Sequence, residues 1–153
     1  MKKAFAWLPS RVWMGLIFYM SAMPGDVSGA QSGAVLSWIL SFFGRVLPGI
    51  SAVSADTLHL LLRKGAHMAA YAVLALLNQR ALRLCSAKRP ALYAFLFAAA
   101  YAASDECHQG LVPGRGPSFA DVMIDAAGAA AALLGARAVR SPGKKKREKG
   151  ESK

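Results

Sequence analysis

The sequence predicts an all-α integral membrane protein, a bundle of four transmembrane helices with one amphipathic helix lying in the membrane interface. Three observations carry that expectation. Apolar residues make up 55% of the 153-residue chain and charged residues only 18%. With a mean hydropathy of +0.33, this is too apolar for an ordinary soluble domain. Apolar runs recur along the chain, broken by short basic or Gly/Pro-rich segments. The net charge of +11 comes from Lys and Arg beside those runs and in the last thirteen positions. That distribution sets membrane topology, whereas a nucleic-acid reader would gather its charge on one face, so no nucleic-acid partner is expected.

The first span runs from Ala4 to Met23, twenty residues, about the length that crosses a bilayer of roughly 30 Å at 1.5 Å per residue. Arg11 snorkels towards the side that carries Lys2 and Lys3. No A-x-A-like site follows Met23, which favours an uncleaved span over a signal peptide. Asp26 to Asp56 reads as a connector. Within it Val35–Leu47 forms the interfacial helix, Trp38 at headgroup level, with a fifth, tilted span as the alternative.

Leu58–Leu77 is the second span, with Lys64, His67, Tyr71, Leu74 and Asn78 on one helical face. Arg80, Arg83, Lys88 and Arg89 follow as a basic loop. Pro90 opens the third span, Ala91–Ser104, and the helix continues through Asp105, Glu106 and His108 to reach the far interface. Gly110, Pro113, Gly114, Gly116 and Pro117 make a tight loop. Ser118 then caps the fourth span, with Asp121 completing a capping box. That span runs to about Val139, with Gly128, Ala132 and Gly135 as small packing positions. Residues 1–140 are thus one transmembrane domain, and 141–153 a basic, disordered tail.

Placing both termini in the cytoplasm puts fifteen of the nineteen Lys and Arg residues on the inner side of the cytoplasmic membrane. Three helices then bring their polar residues to the outer face. His67, Asp105, Glu106 and Asp121 are the candidate catalytic groups, because carboxylates and a histidine near low-dielectric walls perturb one another into an acid/base set. Lys64, Arg63 and Arg115 can clamp an anionic headgroup, with Tyr71, Gln109, Ser118 and Asp125 as further binding groups. Plainer roles exist for each. His67 can hydrogen-bond a helix neighbour, Asp121 and Asp125 can pair with Arg115 or Lys64 to hold helix register, and Glu106 and His108 can face water. Tyr71 and Tyr101 can serve as interfacial anchors.

His67, His108, Asp105, Glu106, Asp121 and Asp125 are suitable metal ligands, which keeps a metal as an alternative, but no H-E-x-x-H, paired Cys/His spacing, P-loop or dinucleotide fingerprint occurs, and the expectation is no metal and no other cofactor. Cys85 and Cys107 fall on opposite sides of the membrane, too far apart to bridge.

Four blocks in order, IFYMSAMPGDVSGAQS at 17–32, RKGAHMAAYAVLALL at 63–77, SDECHQGLVPGR at 104–115 and SFADVMIDAAGAAAALLG at 118–135, resemble the VanZ-like family of small membrane proteins. The resemblance carries over Lys64, His67, Tyr71, Asp105, Glu106, Gln109, Arg115, Ser118, Asp121, Asp125 and Gly128. Position 125 is often Asn in the family, so Asp125 adds a charge there. The family takes its name from a protein linked to resistance to teicoplanin, which acts on outward-facing cell-wall precursors. The resemblance therefore implies a cell-envelope protein that acts on or binds a lipid-linked or anionic headgroup substrate at the outer face and affects teicoplanin susceptibility. Whether it is an enzyme stays open. The alternative is a non-catalytic module that masks a lipid precursor or stabilises a partner membrane protein, or a second copy of itself, through its small-residue helix faces.

Overall fold

The computed structural model describes residues 2–43 and 53–140, and all regular structure in them is helical. The tail from 141 and the last part of the interfacial segment lie outside the described residues. Six helices follow in order: α1 (Lys2–Ala6), α2 (Leu8–Ser21), α3 (Gly25–Phe43), α4 (Ala55–Leu84), α5 (Pro90–Gln109) and α6 (Phe119–Arg140). Two of them, α4 and α6, are long and apolar enough to cross a membrane. Helix α2 spans only fourteen residues after a break at Trp7. Helix α5 ends in Asp105, Glu106 and His108.

Helix α4 is the axis of the fold and touches each of the other helices, α6 most extensively. Its thirty residues overrun the expected Leu58–Leu77 at both ends. At the start, Ser54 caps the helix by accepting the Thr57 amide at 3.3 Å. At the end, Asn78 and Gln79 turn into the bundle, so polarity there does not stop the helix. It stops where Ser86 takes φ +61°. The Ala87 and Ser86 amides donate back to the Leu82 and Arg83 carbonyls, each at 3.0 Å, closing a Schellman-type cap. The basic loop thereby shrinks to Cys85–Arg89.

The connector expected at 26–56 is instead helical from Gly25. Its Gly and Ser content suggests a loop, yet the hydroxyls are satisfied within the helix, as where Ser32 donates to the Ser28 carbonyl at 2.9 Å. Asp26 in the first turn complements the helix dipole. The helix is moored at its start, where the Gly25 amide donates to the Pro113 carbonyl at 3.1 Å. A Cβ at Gly25 would strike the backbone of Gly114, which itself adopts φ +74°. The loop after α5 is thus held against α3 by two glycines.

Helices α4 and α6 run parallel and pack directly on each other, with α5 antiparallel against both. Their core is small: Ala94, Ala98 and Ala102 form a buried stripe on α5, against Tyr71, Leu74, Ala75, Ala129 and Leu133. Gly128 sets the α4–α6 spacing, because a side chain there would run into the Met68 backbone carbonyl. Close backbone approach through small residues is how helices associate without a hydrophobic driving force between them. Polar side chains are buried beside this apolar core, and large apolar ones stand outside it. Ser10, Asn78, Asp105 and Asp125 are buried, while Leu61, Trp38, Leu134 and Val139 lie outside.

Candidate functional site

Asp105, Glu106 and Gln109 at the end of α5 turn into the bundle and not towards water. The Asp105 carboxylate lies in the bundle and accepts hydrogen bonds from the Ser21 hydroxyl at 2.7 Å and the Gln109 amide at 2.9 Å. Gln109 also reaches Ser21 at 3.3 Å. The four-residue spacing of Asp105 and Gln109 puts both on the face that meets α2. Glu106 is buried too, and its carboxylate accepts the Ser118 amide at 2.5 Å. The capping box expected between Ser118 and Asp121 is therefore replaced. Glu106, from a neighbouring helix, takes the first amide, and Asp121 is left to pair with Lys64.

That ion pair joins α4 to α6, and one turn further down His67 Nδ1 faces Asp125 Oδ2 at 3.7 Å. Below it the buried Tyr71 hydroxyl is turned to the Asp105 carboxylate without closing a full hydrogen bond, and Asp125 lies near as well. One oxygen of Asp105 and one of Asp125 also lack a full hydrogen bond. His108 stacks on Phe18 with centroids 4.5 Å apart instead of facing water. Tyr101 donates to the Met14 carbonyl at 2.8 Å, inside the bundle, not at an interface.

Beside this cluster a groove of about 460 Å³ opens between α2, α3 and α4. Trp13, Leu16, Ile17, Met20, Val35 and Leu62 make its walls apolar, and Arg63, His67 and Arg115 stand at its polar end. Arg115 sits on the loop after α5, with a guanidinium nitrogen 3.4 Å from the Met20 carbonyl. Burial and then the like charge of Arg63 lower its pKa, against the opposing pull of Asp105 and Glu106. A guanidinium stays protonated even so. Two cations therefore share one partly dry mouth, and neither is in an ion pair among the described residues.

Of the residues singled out from the sequence, His67, Tyr71 and Arg115 line the groove. Asp105, Gln109 and Asp125 form the buried wall behind it, and Glu106 and Ser118 join the start of α6 to α5. Lys64 and Asp121 neutralise each other at the α4–α6 seam. Three contributors were not singled out: Ser21, the Ser10–Asn78 hydrogen bond deeper in the bundle, and the Ser28, Gln31 and Ser32 edge of the groove. Ser10, Met14, Ile17 and Ser21 recur at spacings of 4, 3 and 4, so periodicity along the first apolar run carried the signal for the two serines. Among the described residues no group of His, Cys, Asp and Glu converges to hold a metal ion.

A helical bundle with an apolar exterior, buried carboxylates and two span-length helices is a membrane-type protein. Comparison with family models narrows the class. The VanZ/LLP1 model matches residues 6–140, nearly all of the chain, and the protein belongs to that family. Searches of curated proteins and of solved structures returned no match.

Proposed function

We propose that the protein is a four-span resident of the cytoplasmic membrane, with both termini in the cytoplasm, whose groove binds an amphiphile with an anionic headgroup at the outer face. Helices α1–α2, α4, α5 and α6 are the spans, and α3 lies in the interface. The observation that carries this reading is the pair Arg63 and Arg115 at the mouth of an apolar groove. Phosphate or carboxylate there would relieve their mutual repulsion and accept fork-like hydrogen bonds, while the alkyl part of the ligand lies along Trp13, Leu16 and Leu62. A groove of about 460 Å³ is within the range of small-ligand sites. A lipid or a lipid-linked cell-wall precursor has this chemistry, and sequestering or altering such a precursor would change teicoplanin susceptibility.

In this reading Arg115 and Arg63 are the anion clamp, and His67, Tyr71, Asp105 and Asp125 are the groups available for proton handling at the bound headgroup. Lys64 and Asp121 are assigned to helix register. The second reading is a non-catalytic module that masks the precursor or supports a partner membrane protein. It is favoured by the hydrogen bonds that already tie Asp105 to Ser21 and Gln109, an arrangement suited to a fixed scaffold.

Lipid-resolved mass spectrometry of protein purified gently from its membrane, wild type beside Arg115→Ala and Arg63→Ala, tests the clamp. An anionic or polyprenyl lipid enriched with wild type and depleted at least fivefold in both variants is expected. The same lipids in the same amounts on all three proteins would remove the clamp and leave the partner-supporting reading.

A further inference from the structure

A second cleft opens at the opposite end of the bundle, between the last two turns of α4 and the last turn of α6. It has a volume of about 360 Å³ and is lined by Leu76, Leu77, Arg80, Arg83, Leu84 and Arg140 among others. Helical spacing explains the mixture. Leu76, Arg80, Arg83 and Leu84 lie at 0, 4, 7 and 8 along one face of α4, and Ala136 and Arg140 share a face of α6. Because α4 and α6 run parallel, both helices end there together. Arg80 and Arg140 are exposed and Arg83 is half-buried. None of the three forms an ion pair among the described residues.

We propose that this cleft binds the phosphate headgroup of an anionic phospholipid of the inner leaflet. Three guanidiniums around one opening present donors from two helices to a single anion. Leu76 and Leu77 lie one turn from Arg80 towards the middle of α4 and line the same cleft, where the start of an acyl chain would lie; this favours a lipid over free phosphate. Depth agrees as well. Arg80 lies seventeen residues beyond Arg63 on one continuous helix, roughly 25 Å at 1.5 Å per residue, close to the thickness of a hydrocarbon core. The two arginine clusters thus belong to the two leaflets, and basic pockets between helices on the cytoplasmic side are suited to anionic lipid headgroups. The inference rests on the membrane-spanning reading but not on occupancy of the outer groove.

The test is native mass spectrometry of the full chain in detergent. Phosphatidylglycerol, a diphosphatidylglycerol, phosphatidylcholine and inorganic phosphate are titrated against wild type, an Arg80→Gln/Arg83→Gln/Arg140→Gln variant and Arg115→Ala. Wild type is expected to bind the two anionic lipids at least fivefold more tightly than phosphatidylcholine. The triple glutamine variant should lose one anionic-lipid binding event relative to wild type, while Arg115→Ala keeps that inner-site event. A single Arg140→Gln variant, at an exposed helix end where folding is not at stake, should weaken it.

Equal lipid binding by wild type and the triple variant would overturn the proposal. Inorganic phosphate that binds wild type as tightly as the lipids do would overturn the lipid assignment.

Discussion

At the scale of single residues, the bundle separates charges that are spent on structure from charges that are available. Lys64 and Asp121 are each partly exposed, with side chains 29% and 17% accessible, so their attraction is weaker than that of a fully buried pair. Removing either leaves the other half-desolvated and alone. Lys64→Ala and Asp121→Ala are each expected to destabilise the protein, and the double variant by less than their sum, with a coupling of about 1–2 kcal/mol. Chemical denaturation in detergent micelles measures it. Zero coupling would return both residues to the candidate site. The aligned carboxylates of α5 differ from that pair, because Asp105 is satisfied by neutral donors, Ser21 and Gln109, and keeps one oxygen open towards Tyr71. The residues that could bear chemistry were legible in the sequence because ionisable groups in apolar surroundings are few. Their pairing was legible only in part: the sequence offers Lys64 or Arg115 as partner for Asp121, and the fold selects Lys64, 57 positions away.

At the scale of elements, the α4–α6 seam is the contact on which both arginine sites depend, since it sets where α4 begins and ends relative to its neighbours. Gly128 is its closest point. Gly128→Ala would drive a methyl group into the Met68 carbonyl, and overpacking of that kind costs about 1–3 kcal/mol, more than the roughly 1 kcal/mol that alanine gains in helix propensity. The expected outcome is a thermal midpoint lowered by several degrees, read by fluorescence-detected size exclusion after heating. Gly135→Ala on the same helix, with no atom within 4 Å of the added carbon, should leave the midpoint unchanged or raise it. Helix existence was readable from apolar periodicity and from Pro90 at the start of α5. Helix α3 was read too short, because glycine and serine promise a loop when judged locally, whereas here their small size lets α3 lie against α4 at Gly33 and His59.

At the scale of the whole molecule, the arrangement of α4, α5 and α6 puts Cys85 and Cys107 at opposite ends of the bundle, half-buried and exposed respectively. With the termini in the cytoplasm, a membrane-impermeant maleimide added to intact cells should label Cys107 and spare Cys85 until the membrane is opened. The reverse pattern would invert the topology and exchange the leaflets of the two arginine clusters. The sequence alone determined the all-helical class, the membrane character and the residues where polarity concentrates. Those follow from composition and from periodicities of three and four, which are properties of single helices. Only the tertiary structure decided that Glu106 serves as the cap of another helix, that Lys64 is neutralised, that Ser21 reaches Asp105, and that arginines gather at two clefts. Each of these depends on which faces of separate helices meet, and packing through small residues such as Ala98 and Gly128 leaves no periodic signal that names the partner.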